Sequence, residues 1–179
     1  MIELSRPLTL IAALVMGAVA SLAAADDIVL ADFEGRDYGA WKTTGEAFGP
    51  GPAQGALPNQ MKVEGFIGKG LVNSFYGGDK STGTLASPEF QLERKYLCFL
   101  IGGGGWEGKT CMNLLLDGRI VRTATGPNTK PGGSEALAPQ SWDVSEFAGR
   151  TAHLEIVEDR KSTRLNSSHI QKSRMPSSA

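Results

Sequence analysis

The sequence has 179 residues, which is enough for one domain with a targeting segment and a tail. Its 23 glycines and its aromatic content of 7% favour a loop-rich all-β domain over a helical one. Residues 26–158 hold 12 Lys/Arg against 17 Asp/Glu, a net charge of −5, which argues against a nucleic-acid-binding surface.

The first 25 residues have the pattern of a signal peptide. Arg6 precedes the apolar run PLTLIAALVMGAVASL, and Ala23 and Ala25 supply the small residues of a cleavage site. The alternative is an uncleaved anchor, but the run is shorter than the roughly 20 residues that a transmembrane helix needs. The sequence therefore predicts a secreted or periplasmic protein that begins at Asp26 and has no membrane contact after cleavage.

The middle of the chain alternates short apolar stretches with turn residues. The predicted strands are IVLADFEG (28–35), AWKTTGEAF (40–48), two short strands in MKVEGFIGKGLVNSF (61–75), TLASPEFQL (84–92), KYLCFLI (95–101), TCMNLLL (110–116), RIVRTAT (119–125) and TAHLEIV (151–157). Asp117 and Gly118 predict a type I′ hairpin between two of them. Residues 49–60 and 126–141 are predicted loops, and 142–150 a strand end followed by one helical turn and a glycine stop. This regular spacing without a long amphipathic helix predicts a β-sandwich.

The two cysteines, Cys98 and Cys111, fall in predicted strands on either side of a glycine-rich loop. Export places them in an oxidising compartment, where a disulfide is geometrically possible if the two strands are neighbours. The alternative, which we favour, is a pair of buried free thiols, because cysteine packs well as a small apolar residue. Neither cysteine has the spacing of a metal site.

Several aromatic residues are candidates for a carbohydrate-binding surface, since a flat ring stacks on the apolar face of a sugar. Trp106, Tyr76 and Tyr38 are the preferred candidates, and Trp106 is the best placed because it follows four glycines in a predicted loop. Core packing is the alternative for every ring, and it is favoured for Trp41 and Phe75.

Three acids, Asp32, Glu34 and Asp143, are candidate ligands of a structural calcium ion, which takes several oxygen ligands. Solvated surface carboxylates are the preferred interpretation. No other cofactor is predicted.

Several blocks of the sequence together resemble one known family. They are DFEG with the following YGAW and GEAFGPGP (32–52), GFIGKGLVNSF with the following GD (65–79), GTLASPEF (83–90), FLIGGG (99–104), CMNLLLDG and its continuation VRTATGPNTKPGGSE (111–135), and WDVS with the following Gly and Ala (142–152). The resemblance is to the N-terminal β-sandwich domain of secreted bacterial enzymes of glycoside hydrolase family 32, the levanases, fructanases and β-fructosidases. It implies a jelly-roll fold like that of carbohydrate-binding modules, fructan as a partner, and a catalytic domain that follows in the same polypeptide.

The family's catalytic motifs NDPNG, RDP and EC do not occur in a matching position, so no catalytic residue is assigned and this fragment is not expected to be an enzyme. Its last strand or strands would be missing after about residue 158. A stand-alone secreted carbohydrate-binding or adhesion module is the alternative, and a sandwich that is itself an enzyme is the third hypothesis.

The tail differs from everything before it. DRKSTRLNSSH (159–169) can be written as codons of a common sequencing-library adapter, and SRMPSSA (173–179) continues that adapter in frame. We therefore predict that residues 159–179 are an artefact and form a coil packed on nothing. A disordered basic tail is the alternative.

Overall fold

The computed structural model describes residues 26–129, 133–159 and 168–176. The signal peptide predicted for residues 1–25 lies outside this part of the chain. The strands are β1 (Ile28–Ala31), β2 (Lys42–Gly45), β3 (Val63–Glu64), β4 (Val72–Asn73), β5 (Gly83–Ala86), β6 (Phe90–Gln91), β7 (Tyr96–Gly103), β8 (Thr110–Leu116), β9 (Arg119–Ala124), β10 (Glu135–Ala136), β11 (Ala138–Asp143), β12 (Thr151–Glu158) and β13 (Ser168–Met175), with a 3₁₀ turn at Ser145–Phe147.

Within the described residues the strands form two larger sheets and one short pair. The first sheet has the order β1-β13-β7-β11, with β4 also paired to β13. The second has the order β2-β5-β12-β8-β9, with β6 also paired to β12. Both are antiparallel, whereas the short β3–β10 pair is parallel. The predicted all-β antiparallel sandwich is confirmed.

The core lies between the two sheets. Along β7 the side chains alternate, so that Leu97, Phe99 and Ile101 are buried while the residues between them face outward. β12 does the same with Leu154 and Ile156 from the other sheet, and all five belong to one apolar cluster. Apolar area removed from water in this way is the main favourable term in folding, about 25 cal/mol per Å².

The most apolar segments were predicted most accurately. β8 has the predicted bounds, and β7 and β9 differ from theirs by no more than two residues. Asp117 and Gly118 both have positive φ angles, 50° and 73°, as the type I′ hairpin requires. A 3₁₀ turn at Ser145–Phe147 and a Gly149 with φ of 75° confirm the helical turn and its glycine stop.

Two strands were missed in the segment 126–141 that was predicted to be a loop. The two-residue β10 lies entirely within it. The longer missed strand is β11, most of which lies in the same segment. It is the last strand in its sheet, and of its six side chains only Trp142 is buried. A strand of this kind has almost no apolar alternation, and Pro139 is tolerated there because an edge strand has one unpaired side.

The prediction of a coil after residue 158 is wrong for Ser168–Met175. This segment is β13, paired with β1 on one side and β7 on the other. Ile170 and Met175 are buried in the main core cluster. Backbone groups pair in a sheet whatever the side chains are, so two inward apolar residues suffice to place a mostly polar segment between two strands. The adapter origin of these codons remains a prediction.

Loops gather at one end of the sandwich, here called the loop end. In the second sheet Gly45, Gly83, Glu158 and Thr110 lie side by side, where β2 and β12 finish and β5 and β8 begin. The chain between Gly103 and Thr110 joins the two sheets at the same end. None of the helical segments in the described residues is long and apolar enough to span a membrane.

Candidate functional site

Two of the three preferred ring candidates lie at the loop end, and the third lies in the core. Tyr76 follows β4, and its backbone N–H donates to the Ala47 carbonyl at 3.0 Å, next to the end of β2. Trp106 lies in the loop between β7 and β8. Tyr38 is buried, belongs to the main core cluster and donates its hydroxyl to the Phe48 carbonyl at 2.8 Å.

Little of the Tyr38 ring is accessible to a ligand, and its assignment to a sugar-binding surface stays a prediction. Its ring is 7% exposed and meets Phe33 edge to face at a centroid distance of 6.3 Å. Burial raises the pKa of its phenol above the ordinary value, because the charged form would lose its hydration. A tyrosine whose hydroxyl finds a partner packs well in a core, and the sequence carries no signal that separates it from an exposed one.

Tyr76 is the exposed ring of the loop end, with 58% of its surface accessible. It lies directly over Gly49, where an added Cβ would come within 2.4 Å of its Cδ2 atom. Gly49 has a φ of +66°, a conformation that glycine adopts without strain. The ring is therefore held flat against the backbone by a position that only glycine can fill.

Grooves lie on both sides of the Tyr76 ring. One is about 540 Å³ and is lined by Leu57, Pro58, Asn59, Phe75, Tyr76, Gly78 and Asp79. The other is about 360 Å³ and is lined by Gly45, Glu46, Gly49, Pro50, Tyr76 and Gly77. Each has the volume of a small-molecule site and combines apolar walls with a carboxylate. We call the ring with both grooves the Tyr76 ridge.

A side-chain amide pair holds the walls of the larger groove. Asn73 donates to the Gln60 Oε1 atom at 2.9 Å and to the Gly55 carbonyl at 3.2 Å. Gln60 Oε1 also accepts from the Leu57 N–H at 2.8 Å, and Asn73 Oδ1 accepts from the Phe75 N–H at 3.0 Å. Asn73 is 1% exposed, so these bonds fix the loop before the ridge and the segment that carries it.

The other aromatic candidates are less accessible. Trp106 is half-buried, and its carbonyl accepts from the N–H groups of Lys109 and Thr110 at 2.9 and 2.7 Å, which closes a tight loop around it. Trp41 is half-buried and meets Phe33 edge to face at 5.2 Å, in keeping with the preference for core packing. Phe75 is half-buried beside the larger groove.

Below the loop end lies a buried carboxylate that sequence reasoning did not single out. Glu158 is 6% exposed, and its oxygens accept from the hydroxyls of Ser74 at 2.8 Å and Thr110 at 3.1 Å. The signal was present, because Glu158 continues the inward positions of Leu154 and Ile156 along β12. A carboxylate at an inward position is stabilised only by such partners.

The two cysteines are free, and a Cys98–Cys111 disulfide is excluded by their places in the fold. Cys98 is on the outer face of the first sheet, between the buried Leu97 and Phe99. Cys111 is in the second sheet and is not part of the core cluster between the sheets. Both sheets and the core separate the thiols, so both cysteines are free, as the favoured alternative predicted. The prediction that they are buried holds for Cys111, whereas Cys98 is half-buried.

The three candidate calcium ligands are engaged with the backbone. Glu34 accepts from the N–H groups of Lys69 at 3.0 Å and Gly70 at 3.3 Å, and Asp32 accepts from the N–H of Glu34 at 3.1 Å. Asp143 accepts from the Ser145 hydroxyl at 2.5 Å and from the Ser145 N–H at 2.9 Å, and these two bonds lower the pKa of its carboxyl. In the part of the chain that the structure describes, no three His, Cys, Asp or Glu residues gather in a way that could hold a metal ion.

Comparison with known sequences gives one informative relative. The chain is 39% identical over 137 residues to a protein of Aspergillus rugulosus named as a glycosyl hydrolase, ecdE. The match covers 75% of this chain, but this chain spans only 19% of that protein. No family model matches the chain.

Comparison with solved structures supports the fold. The K1 cleaved adhesin domain of Lys-gingipain from Porphyromonas gingivalis matches with a TM-score of 0.53 at 13% identity, over 87% of this chain and 100% of that domain. The K3 adhesin domain of the same protein matches with a TM-score of 0.50 at 14% identity, over 80% of this chain and 95% of that domain. At these identities the likeness shows a shared β-sandwich and nothing about function.

Proposed function

We propose that this chain is a non-catalytic carbohydrate-binding module of a longer secreted glycosidase, and that the Tyr76 ridge is its binding surface. The observation that carries the proposal is the exposed Tyr76 ring between two grooves. The similarity to the protein named as a glycosyl hydrolase supports the class of ligand. Fructan is the specific ligand we propose, on the strength of the sequence blocks that resemble family 32 enzymes.

The geometry suits a glycan chain that crosses the ridge. A sugar unit can stack on the ring through its apolar C–H face, while its neighbours occupy the grooves on either side. Asp79 lines one groove and Glu46 the other, and both carboxylates accept hydrogen bonds from sugar hydroxyls. Like charges repel, so the same carboxylates favour neutral chains over polysaccharides that carry uronic acids.

Affinity electrophoresis tests the binding. Wild-type protein and the Tyr76→Ala and Tyr96→Ala variants are run in native gels containing levan, inulin or, as a different polysaccharide, xylan. Tyr96 is the matched control, a half-buried surface tyrosine at the start of β7, away from the loop end. We expect levan or inulin to retard the wild type and Tyr96→Ala but not Tyr76→Ala. Equal retardation of all three proteins, or of none, would contradict the proposal.

The domain context is tested separately. We propose that residues 1–25 are a cleaved signal peptide and that the adapter-like codons replace a natural continuation with a catalytic domain. Sequencing the source DNA through codon 158 is expected to reveal that domain, and the purified fragment is expected to release no fructose from levan, inulin or sucrose. A stop codon shortly after codon 158 would favour the stand-alone binding or adhesion module.

A further inference from the structure

The slot between β1 and β7 is the feature of the fold that carries a further inference. The first sheet has the order β1-β13-β7-β11, so within the described residues β1 reaches the rest of its sheet only through β13. Ile28 pairs with Met175 on one side of the slot, and Ile101 pairs with Ile170 on the other. Whatever occupies the slot therefore completes the sheet and covers part of the core.

The present occupant fits the slot irregularly. Against β7, Gln171 pairs with Leu100 and Arg174 with Cys98, so two residues of β13 lie opposite a single residue of β7. Against β1, the register shifts between Val29 and Ala31, beside the same part of β13. A bulge leaves ladder hydrogen bonds unmade, and here both ladders of one strand are interrupted together.

The side chain at this irregular point is also unsuited to its place. Ser173 is 1% exposed and lies in the row of inward positions between Ile170 and Met175, both of which are buried in the core cluster. Its Oγ atom has no hydrogen-bond partner among the described residues. A buried hydroxyl without a partner is less stable than an apolar group of the same size, so this position would be better filled by an apolar side chain.

The outer side of the slot adds a charge preference. Arg174 points away from the core, and its Nη1 atom lies 3.0 Å from Oδ2 of Asp27, just before β1. The slot thus combines apolar inward positions with an acidic group at one outer edge. Its direction is fixed as well, because both neighbouring strands are antiparallel to the occupant.

We propose that the slot is a strand-acceptor site whose preferred occupant is an extended peptide segment other than residues 168–175. That segment runs antiparallel to β1 and β7, has apolar residues at the places of Ile170, Ser173 and Met175, and carries a basic residue at the place of Arg174. Main-chain hydrogen bonds to both strands supply the affinity, and the inward pockets supply the specificity. Residues 168–175 occupy the slot as a weak and exchangeable substitute.

Peptide binding to the full chain tests the proposal. The probe is a fluorescein-labelled peptide with the sequence of residues 168–175 carrying Ser173→Val, and the controls are the unchanged peptide and one with Ile170→Asp. We expect the Ser173→Val peptide to bind at least tenfold more tightly than the unchanged peptide, and the Ile170→Asp peptide not to bind. No binding of the Ser173→Val peptide, or equal binding of all three, would overturn the proposal.

Hydrogen exchange on the full chain gives a second readout that does not depend on added peptide. An exchangeable β13 opens locally, so its amides should exchange at least tenfold faster than those of Phe99 and Ile101 in β7. Introducing Ser173→Val into the chain should slow that exchange and weaken binding of the labelled peptide. Protection of the β13 amides equal to that of the β7 amides would overturn the proposal. A concentration-dependent dimer that persists in saturating peptide would also overturn it, because a second copy of the chain would then be the occupant.

Discussion

The Ser74 hydroxyl donates to Oε2 of Glu158 at 2.8 Å, and this bond connects the two sheets at the loop end. Ser74 directly follows β4 of the first sheet, and Glu158 ends β12 of the second. Oε1 of the same carboxylate accepts from Thr110 at the start of β8. One buried carboxylate therefore joins three segments directly below the surface that carries the Tyr76 ridge.

Replacing this carboxylate should destabilise the whole sandwich. Glu158→Ala removes the acceptor of two buried hydroxyls, and a hydrogen bond to a charged group contributes about 1.5–3 kcal/mol. Urea unfolding should show at least that loss in the free energy of unfolding. Glu155→Ala, three positions earlier on the outer face of β12, is the control and should change stability by less than about 0.5 kcal/mol. Equal losses in the two variants would show that the buried bonds contribute nothing of their own.

Glycan binding should depend on Gly49, because this residue leaves the space in which the Tyr76 ring lies. Gly49→Ala places a Cβ where the Tyr76 ring lies and forces the ring to move. Gly39→Ala is the matched control, because Gly39 has a similar φ of +58° but no atom within 4 Å of an added Cβ. Both variants should lose about 1–2 kcal/mol from the left-handed backbone. Only Gly49→Ala should lose its retardation in levan or inulin gels. If both variants are still retarded, the position of the Tyr76 ring does not determine binding.

Loss of the hydroxyl should destabilise the protein at Tyr38 but not at Tyr76. Tyr38→Phe leaves the buried Phe48 carbonyl without its partner and should lower the free energy of unfolding by about 1 kcal/mol. The exposed Tyr76→Phe should leave stability within about 0.5 kcal/mol of the wild type, and it keeps the flat ring. Thermal and urea unfolding of the two variants check this, and a larger loss in Tyr76→Phe would show that its hydroxyl supports the fold.

The two thiols should differ in reactivity. Burial raises the pKa of both Cys98 and Cys111, so little thiolate is present at pH 7 and alkylation is slow. Cys98 is half-buried on an outer face, whereas Cys111 is fully buried. Iodoacetamide at pH 8 should add one label to the native protein and two in guanidinium, as counted by mass spectrometry. The Cys98→Ser variant should take no label until it is unfolded; native labelling of that variant would show that Cys111 is accessible.

The sequence predicted those strands and turns whose conformation is determined by their own side chains. β7 and β8 are largely apolar runs, and β8 is joined to β9 by a turn that requires positive φ angles at Asp117 and Gly118, so each signal is local. β11 and β13 carry weak patterns, because the first is an edge strand and the second enters its sheet with few inward apolar residues. Their places depend on neighbours distant in the chain, which periodicity does not register.

The candidate site was predicted in part for the same reason. Aromatic residue type pointed to Tyr76, but it pointed equally to Tyr38, and only packing separates an exposed ring from a buried one. The grooves depend on the Asn73–Gln60 contact, which joins two loops in a way that no spacing in the sequence reveals. The inward position of Glu158 was readable from β12, whereas its partner Ser74 was not.

The pairing of β1 with β13 has a consequence for synthesis of the protein. β1 is the first described strand to leave the ribosome, but its partner in the sheet is the last, since Ile28 pairs with Met175. Contacts between distant parts of a chain form late, after the entropy of closing the intervening loop has been overcome. In this chain the first strand therefore stays unpaired until residues 168–175 have left the ribosome, so its exposed edge must be shielded from other chains throughout that interval.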